Sequence, residues 1–110
     1  MTGYTYLWEF DVPPENQPEF ERIYGPTGRW VQLFCRAAGY LGTYLLRDRS
    51  KNTRFVTIDR WRDEQAYREF RTTYADAYAA LDLECEGLAS METPLGTYIE
   101  CTRSSAPDLA

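Results

Sequence analysis

Two side chains in this sequence have the chemistry of a small-molecule site: Asp59, in the run FVTIDRW that ends at Trp61, and Arg71, one position after Phe70. There is no histidine, which removes the commonest general base, the commonest metal ligand and any proximal haem imidazole. A carboxylate set among aromatic rings has its charged form disfavoured by desolvation, which moves its pKa toward the range of a useful base. A guanidinium across a pocket mouth can stabilise a phenolate or enolate oxygen. Both residues also have ordinary roles open to them. Asp59 can pair with Arg60, Arg62 or Arg71 or hydrogen-bond a neighbouring turn, and Arg71 can be a solvent-exposed helix residue.

The residues that must position them begin with a β-hairpin. Tyr40 to Arg47 and Arg54 to Trp61 are rich in aromatic and β-branched residues, and residues 48–53 supply the turn. With Arg47 opposite Arg54, alternation places Tyr40, Gly42, Tyr44 and Leu46 on one face with Phe55, Thr57, Asp59 and Trp61. In that register Gly42 leaves space beside the Asp59 carboxylate, and a slip by one residue would change the neighbours of Asp59. The other face carries Leu41, Thr43, Leu45, Val56 and Ile58, so both faces are apolar and both need a cover.

Ahead of the hairpin, Tyr4, Tyr6, Trp8 and Phe10 alternate with Thr5, Leu7, Glu9 and Asp11, the pattern of a strand with one aromatic face. Val12-Pro13-Pro14 ends it. Asn16 and Glu19 resemble a capping box for a helix carrying Phe20, Ile23 and Tyr24. Gly25-Pro26 interrupts that helix, Thr27 can recap the chain, and Trp30, Phe34 and Ala38 repeat at helical spacing up to Gly39. Asp63 is an N-cap, followed by a stripe through Ala66, Tyr67, Phe70, Tyr74, Ala77, Tyr78 and Leu81 that can continue to Cys85. A last strand falls at residues 88–92 or 96–101, and residues 102–110 read as a disordered tail.

Strand, helix, strand, strand, helix, strand is the order of a ferredoxin-like α+β fold, one domain over residues 1–101 with two helices covering one face of a four-stranded antiparallel sheet. The uncovered face, with Leu41, Leu45, Val56 and Ile58, predicts a homodimer packed sheet on sheet. The net charge of −5, with no cluster of Lys or Arg, speaks against nucleic-acid and anionic-membrane partners. Three cysteines without metal-type spacing predict buried thiols. With no apolar run of about 18 residues and no signal-peptide pattern, the expectation is a soluble, cytoplasmic protein.

Val12-Pro13-Pro14-Glu15 with Glu19-Phe20-Glu21, then Gly28-Arg29-Trp30, Gly39-Tyr40-Leu41-Gly42-Thr43, Ile58-Asp59-Arg60-Trp61, Tyr67 and Phe70, and Leu95-Gly96-Thr97 together resemble the antibiotic biosynthesis monooxygenase family of dimeric α/β barrels. The resemblance implies a pocket between helices and sheet, in which some members oxidise polycyclic phenols or quinols with dioxygen and neither metal nor flavin, and others degrade haem. The family's tryptophan at the end of the third strand matches Trp61. Its first-strand asparagine would fall near Trp8 and the helical histidine of its haem-degrading members near Arg71; neither matches, which sets haem degradation aside.

A cofactor-free oxygenase must bind a flat aromatic, assist its ionisation and exclude water. Trp8, Tyr44, Phe55 and Trp61 from the sheet, with Tyr67, Tyr74 and Tyr78 from the second helix, can line such a slot, or can simply form the core. Three functions share this pocket: oxidation of a polyketide-like or quinol-like aromatic with Asp59 as base and Trp61 as stacking or electron-relay partner; a non-redox cyclisation or isomerisation; or binding of an aromatic molecule by a dimer without chemistry.

Overall fold

A computed structural model of the chain describes residues 3–101. Four strands, β1 (Tyr4–Asp11), β2 (Tyr40–Arg47), β3 (Arg54–Trp61) and β4 (Met91–Ile99), and four helices, α1 (Gln17–Tyr24), α2 (Arg29–Phe34), α3 (Glu64–Thr73) and α4 (Ala75–Glu84), make up the fold. The sheet is antiparallel throughout with strand order β2-β3-β1-β4, the ferredoxin-like α+β arrangement. All four helices lie on one face, which we call the inner face. Tyr4 and Phe10 of β1 and Phe55 and Trp61 of β3 bury there against Phe20 and Tyr24 of α1, Trp30 and Phe34 of α2, Phe70 of α3 and Leu81 of α4. Period-2 alternation on the strands and period-3.6 repetition on the helices thus meet in one aromatic core. Each such side chain contributes about 1.5–3 kcal/mol by leaving water.

The helices differ from the sequence expectation in their ends. Asn16 stands at the N-cap of α1, but its side chain makes no capping hydrogen bond. A 3-10 turn at Pro14–Asn16 leads into the helix, and the Asn16 amide donates instead to the carbonyls of Gly87 and Leu88 at 3.4 and 3.1 Å, tying α1 to the loop before β4. Nor does Thr27 cap α2. The N-cap is Gly28, without a side-chain cap, and a Cβ at Gly28 would lie 2.1 Å from the carbonyl oxygen of Ile23; this close approach to α1 demands glycine. The helix stops at Phe34, short of Ala38. Asp63 does cap α3, its carboxylate accepting from the Ala66 amide at 2.8 Å. The long stripe after it is two helices. The chain breaks at Tyr74 (φ −112°, ψ 29°), whose hydroxyl donates to the Arg36 carbonyl at 3.2 Å. Apolar periodicity runs across that break because both halves pack on the same core.

The last strand occupies neither expected span. It runs through Pro94, which is tolerated because β4 is a sheet edge and the pairing with β1 shifts register at Leu7/Trp8. The third difference, the hairpin register, sets the site. Arg47 pairs with Phe55, not Arg54, so Leu45 faces Thr57, Thr43 faces Asp59, and Tyr44 and Leu46 turn outward beside Ile58 and Val56. Near the start of β2 the register shifts again between Tyr40 and Gly42, returning Tyr40 to the inner face opposite Trp61. Gly42, at φ +148°, supplies the backbone conformation that this bulge requires. The exposed apolar residues of β2 on or beside the outer face are therefore Leu41, Tyr44 and Leu46, at 52%, 57% and 48% exposure. Leu45 packs against the core. Cys85 is buried, but Cys35 and Cys101 are exposed, and all three are free thiols. No helix among the described residues is long and apolar enough to cross a membrane. The expected tail at 102–110 lies outside the described residues.

Candidate functional site

Alternation along β3 puts Thr57 and Asp59 on the inner face between Phe55 and Trp61, and β1 sets Trp8 beside Thr57 and Tyr6 beside Asp59. The helices do not close completely over this part of the sheet. A cavity of about 310 Å³ remains, with Trp8, Thr43, Thr57 and Asp59 from the sheet, Trp30 and Phe34 from α2, Arg71 from α3 and Tyr78 from α4 among its lining. Trp30 and Phe34 are i and i+4, as are Tyr78 and Asp82, so each helix presents one stripe to the space. The volume is at the small end of the range for small-molecule sites.

Asp59 is partly buried. Thr43 Oγ1 donates to its Oδ1 at 2.7 Å, and Thr43 Oγ1 in turn lies 2.5 Å from the Tyr40 hydroxyl. None of the arginines near it in sequence or in the cavity pairs with it. Arg60 bridges to Glu100 at 2.9 Å, Arg62 to Asp63 at 3.6 Å, and Arg71 donates to the Tyr67 hydroxyl at 3.0 Å. Burial without a cation pushes the Asp59 carboxyl up to about 6, with the Thr43 hydrogen bond opposing the rise. Tyr40 is pushed up to about 12, chiefly by burial, and burial also raises Tyr24 and Tyr78. These phenols therefore stay neutral at physiological pH and do not serve as bases; Tyr40 acts instead as a hydrogen-bond partner.

Arg71 reaches the cavity from α3. Its guanidinium carbon lies 3.9 Å from the centre of the Tyr78 ring, a cation–π contact, and with the Tyr67 hydrogen bond this holds the charge in place. At another part of the lining are Asp82 and Glu92; Glu92 is raised by burial and then by the charges of Asp82 and Glu86. The cavity therefore carries a basic carboxylate, a fixed cation, aromatic walls and acidic groups.

Of the residues singled out from sequence, the structure brings Asp59, Arg71, Trp8 and Tyr78 to this space. Trp61 is completely buried, wedged among Phe34, Tyr40, Tyr67 and Phe70. It supports the cavity wall from behind, and its indole N–H has no hydrogen-bond partner among the described residues. Phe55 is core, packed between Phe20 and the Arg47 guanidinium. Tyr67 stands behind Arg71. Tyr74 lines a separate hollow of about 190 Å³ with Arg36 and Arg62. Tyr44 is on the opposite face of the sheet, because the register is one residue away from the expected one. The same offset turns Thr43 from the expected outer face to the inner one, where it is the hydrogen-bond partner of Asp59. Trp30, Phe34, Tyr24 and Phe10 were legible only as apolar periodicity, which does not separate a core residue from a cavity wall.

A family model for antibiotic biosynthesis monooxygenases matches residues 4–80, and the chain belongs to that family. Among solved structures it is similar to a variant of SnoaB, a cofactor-independent oxygenase from Streptomyces nogalater, at 24% identity over 96% of this chain and 98% of that one, with a TM-score of 0.67. It is also similar to a mutant of MhuD with two manganese protoporphyrin IX bound per active site, at 18% identity over 94% and 99%, TM-score 0.72. A third, MupZ from Pseudomonas fluorescens, matches at 13% identity over 90% and 71%, TM-score 0.65. At these identities the structural likeness establishes the fold. No curated protein matches the chain.

Proposed function

We propose that this protein is a monooxygenase that needs no cofactor and oxidises a flat phenolic or quinol-like aromatic, of the kind built by polyketide assembly, with dioxygen. The observation that carries this reading is the Asp59 carboxylate, facing an aromatic cavity with a hydroxyl and no cation for a partner. A group with a pKa of about 6 is mostly ionised at neutral pH yet basic enough to take a proton from an activated phenol or an anthrone-type methylene. The resulting anion is itself the reductant for dioxygen. One oxygen atom enters the ring as a carbonyl, replacing two hydrogens, and the other leaves as water. Arg71 supplies positive charge for the developing oxyanion, and Trp8, Trp30 and Tyr78 supply walls that hold a ring and exclude water. Family membership and the cofactor-independent oxygenase among the structural neighbours support the same class of reaction.

The reading includes a homodimer packed through the outer face of the sheet, where Leu41, Tyr44, Leu46 and Tyr98 are exposed. The test is oxygen consumption by purified, chelator-treated protein against anthrones, naphthols and hydroquinones, with a parallel anaerobic incubation. The expected result is protein-dependent uptake that falls at least a hundredfold in Asp59→Asn, as removal of a general base does. A changed product in the anaerobic tube, with no uptake in the aerobic one, moves the assignment to a cyclase or isomerase. Binding without change in either tube leaves a non-catalytic aromatic-binding protein.

A further inference from the structure

The hydrogen bonds behind Asp59 have a fixed direction. Thr43 carries one hydroxyl proton and gives it to Asp59 Oδ1 at 2.7 Å when that carboxylate is ionised. Its 2.5 Å contact with Tyr40 must then be filled by the Tyr40 proton. The chain runs Tyr40 to Thr43 to Asp59, each hydroxyl polarising the next toward the carboxylate. Tyr40 and Thr43 are three residues apart, so in a regular strand they would point to opposite faces. The register shift between Tyr40 and Gly42, made possible by Gly42 at φ +148°, puts both on the inner face. A bulge whose result is to place two hydroxyls in line with one carboxylate has the character of a positioning device.

We propose that Tyr40 and Thr43 form a two-hydroxyl relay that orients the Asp59 carboxylate and keeps it ionised in the cavity, with Thr43 the positioning residue and the bulge at Leu41 and Gly42 its mount. The proposal rests on Asp59 being the base of the site. The other titratable or charged groups facing Asp59 are Tyr6 from β1, its register partner, Tyr78 from α4, which feels its charge, and Arg71 from α3 across the cavity, held by Tyr67 and Tyr78. Asp82 and Glu92 share the cavity lining. None of these is hydrogen-bonded or ion-paired to the carboxylate among the described residues, which leaves Thr43 as its direct partner. The relay also gives the carboxylate a single donor on one oxygen, so Oδ2 is left for the ligand.

The test follows the Asp59 carboxyl carbon by NMR through a pH titration of the ligand-free full chain, in wild type, Thr43→Val, Thr43→Ser and Tyr40→Phe. Thr43→Val is expected to raise the Asp59 midpoint by about one pH unit, roughly a tenfold gain in proton affinity for a lost hydrogen bond to the charged form. Thr43→Ser returns it to the wild-type value, and Tyr40→Phe raises it by less. The acid limb of kcat/KM moves with the carboxyl titration in each variant. Equal midpoints in wild type and Thr43→Val overturn the relay, as does an equal shift in Thr43→Val and Thr43→Ser, which marks packing. If Thr43→Val does not fold, Tyr40→Phe carries the same decision, an unshifted midpoint overturning the relay. Failure of the base reading is separate, since Asp59→Asn then retains turnover while the carboxyl titration still responds to Thr43.

Discussion

In the role proposed for it, Asp59 is costly to the fold, because its ionised form is disfavoured by burial. Its folded pKa of about 6 lies above the ordinary carboxyl value of 3.8, so between these pH values the folded chain binds more protons than the unfolded one. Stability therefore falls as pH rises from about 4 to about 6 and stays lower above that. The full shift corresponds to about 3 kcal/mol, and solvent at the cavity mouth screens part of it, leaving roughly 1–2 kcal/mol. Asparagine keeps the Thr43 hydrogen bond and does not ionise. Thermal melts of wild type and Asp59→Asn are expected to converge near pH 4 and to separate by about 5 °C in favour of the variant at pH 8. A variant that gains stability where it loses activity is the signature of a functional carboxylate; equal melting curves at both pH values would mean that the carboxylate is solvated and unperturbed. The face on which Asp59 lies was legible in the sequence, because it depends only on alternation within its own strand, with Phe55, Thr57 and Trp61 as guides. Its partner was not legible, because that depends on the strand across from it.

The partner was set by one element, β2, and by two features that hydrophobic pattern does not report. Both faces of the hairpin are apolar, so a slip by one residue exchanges Tyr44 and Leu46 for Thr43 and Leu45 with little change in apparent pattern. Gly42, within an otherwise bulky strand, was the available signal for a bulge. An added Cβ at Gly42 would meet nothing within 4 Å, so substitution there tests the backbone conformation alone. Gly42→Ala is expected to lower stability by about 1–2 kcal/mol, the cost of a positive φ on an L residue, readable as a lower urea midpoint at unchanged m. It is also expected to raise the Asp59 midpoint as the relay loosens, whereas destabilisation with an unaltered Asp59 titration would confine the bulge to a structural role. The break between α3 and α4 was hidden for a related reason. Ala77, Tyr78 and Leu81 continue the stripe of Ala66 and Phe70, and nothing in that spacing marks Tyr74, whose hydroxyl bonds to Arg36 on a different part of the chain.

For the whole molecule the decisive feature is the sheet face that the helices leave uncovered. Order of elements was enough to read the α+β architecture, since four amphipathic strands and helices on one side have few other ways to bury Tyr4, Phe10, Phe55 and Trp61 together. The same logic carries to the outer face, where Tyr44, Leu46 and Tyr98 stand exposed around Leu7, Val56 and Ile58, which are themselves only partly covered. Ion pairs edge this surface, Arg54 with Glu9 at 3.5 Å and Arg60 with Glu100 at 2.9 Å, which gives an apolar centre with a polar rim. A four-stranded face can bury the ~800 Å² per partner that a stable association needs. Sedimentation velocity is expected to show a dimer for the wild-type chain and a monomer for the double variant Tyr44→Glu, Leu46→Glu, because burying two carboxylates from each copy in that apolar centre costs more in desolvation than the rim arginines return. Neither side chain touches the cavity, so the variant's far-UV circular dichroism should be retained. A wild-type monomer, or a variant that still sediments as a dimer, would place any association elsewhere. Residual oxygen uptake in a folded monomer would then show how far the cavity depends on the second copy: the outward residues Val56 and Ile58 alternate with Thr57 and Asp59 on β3, so any movement of that strand on losing its cover reaches the carboxylate directly.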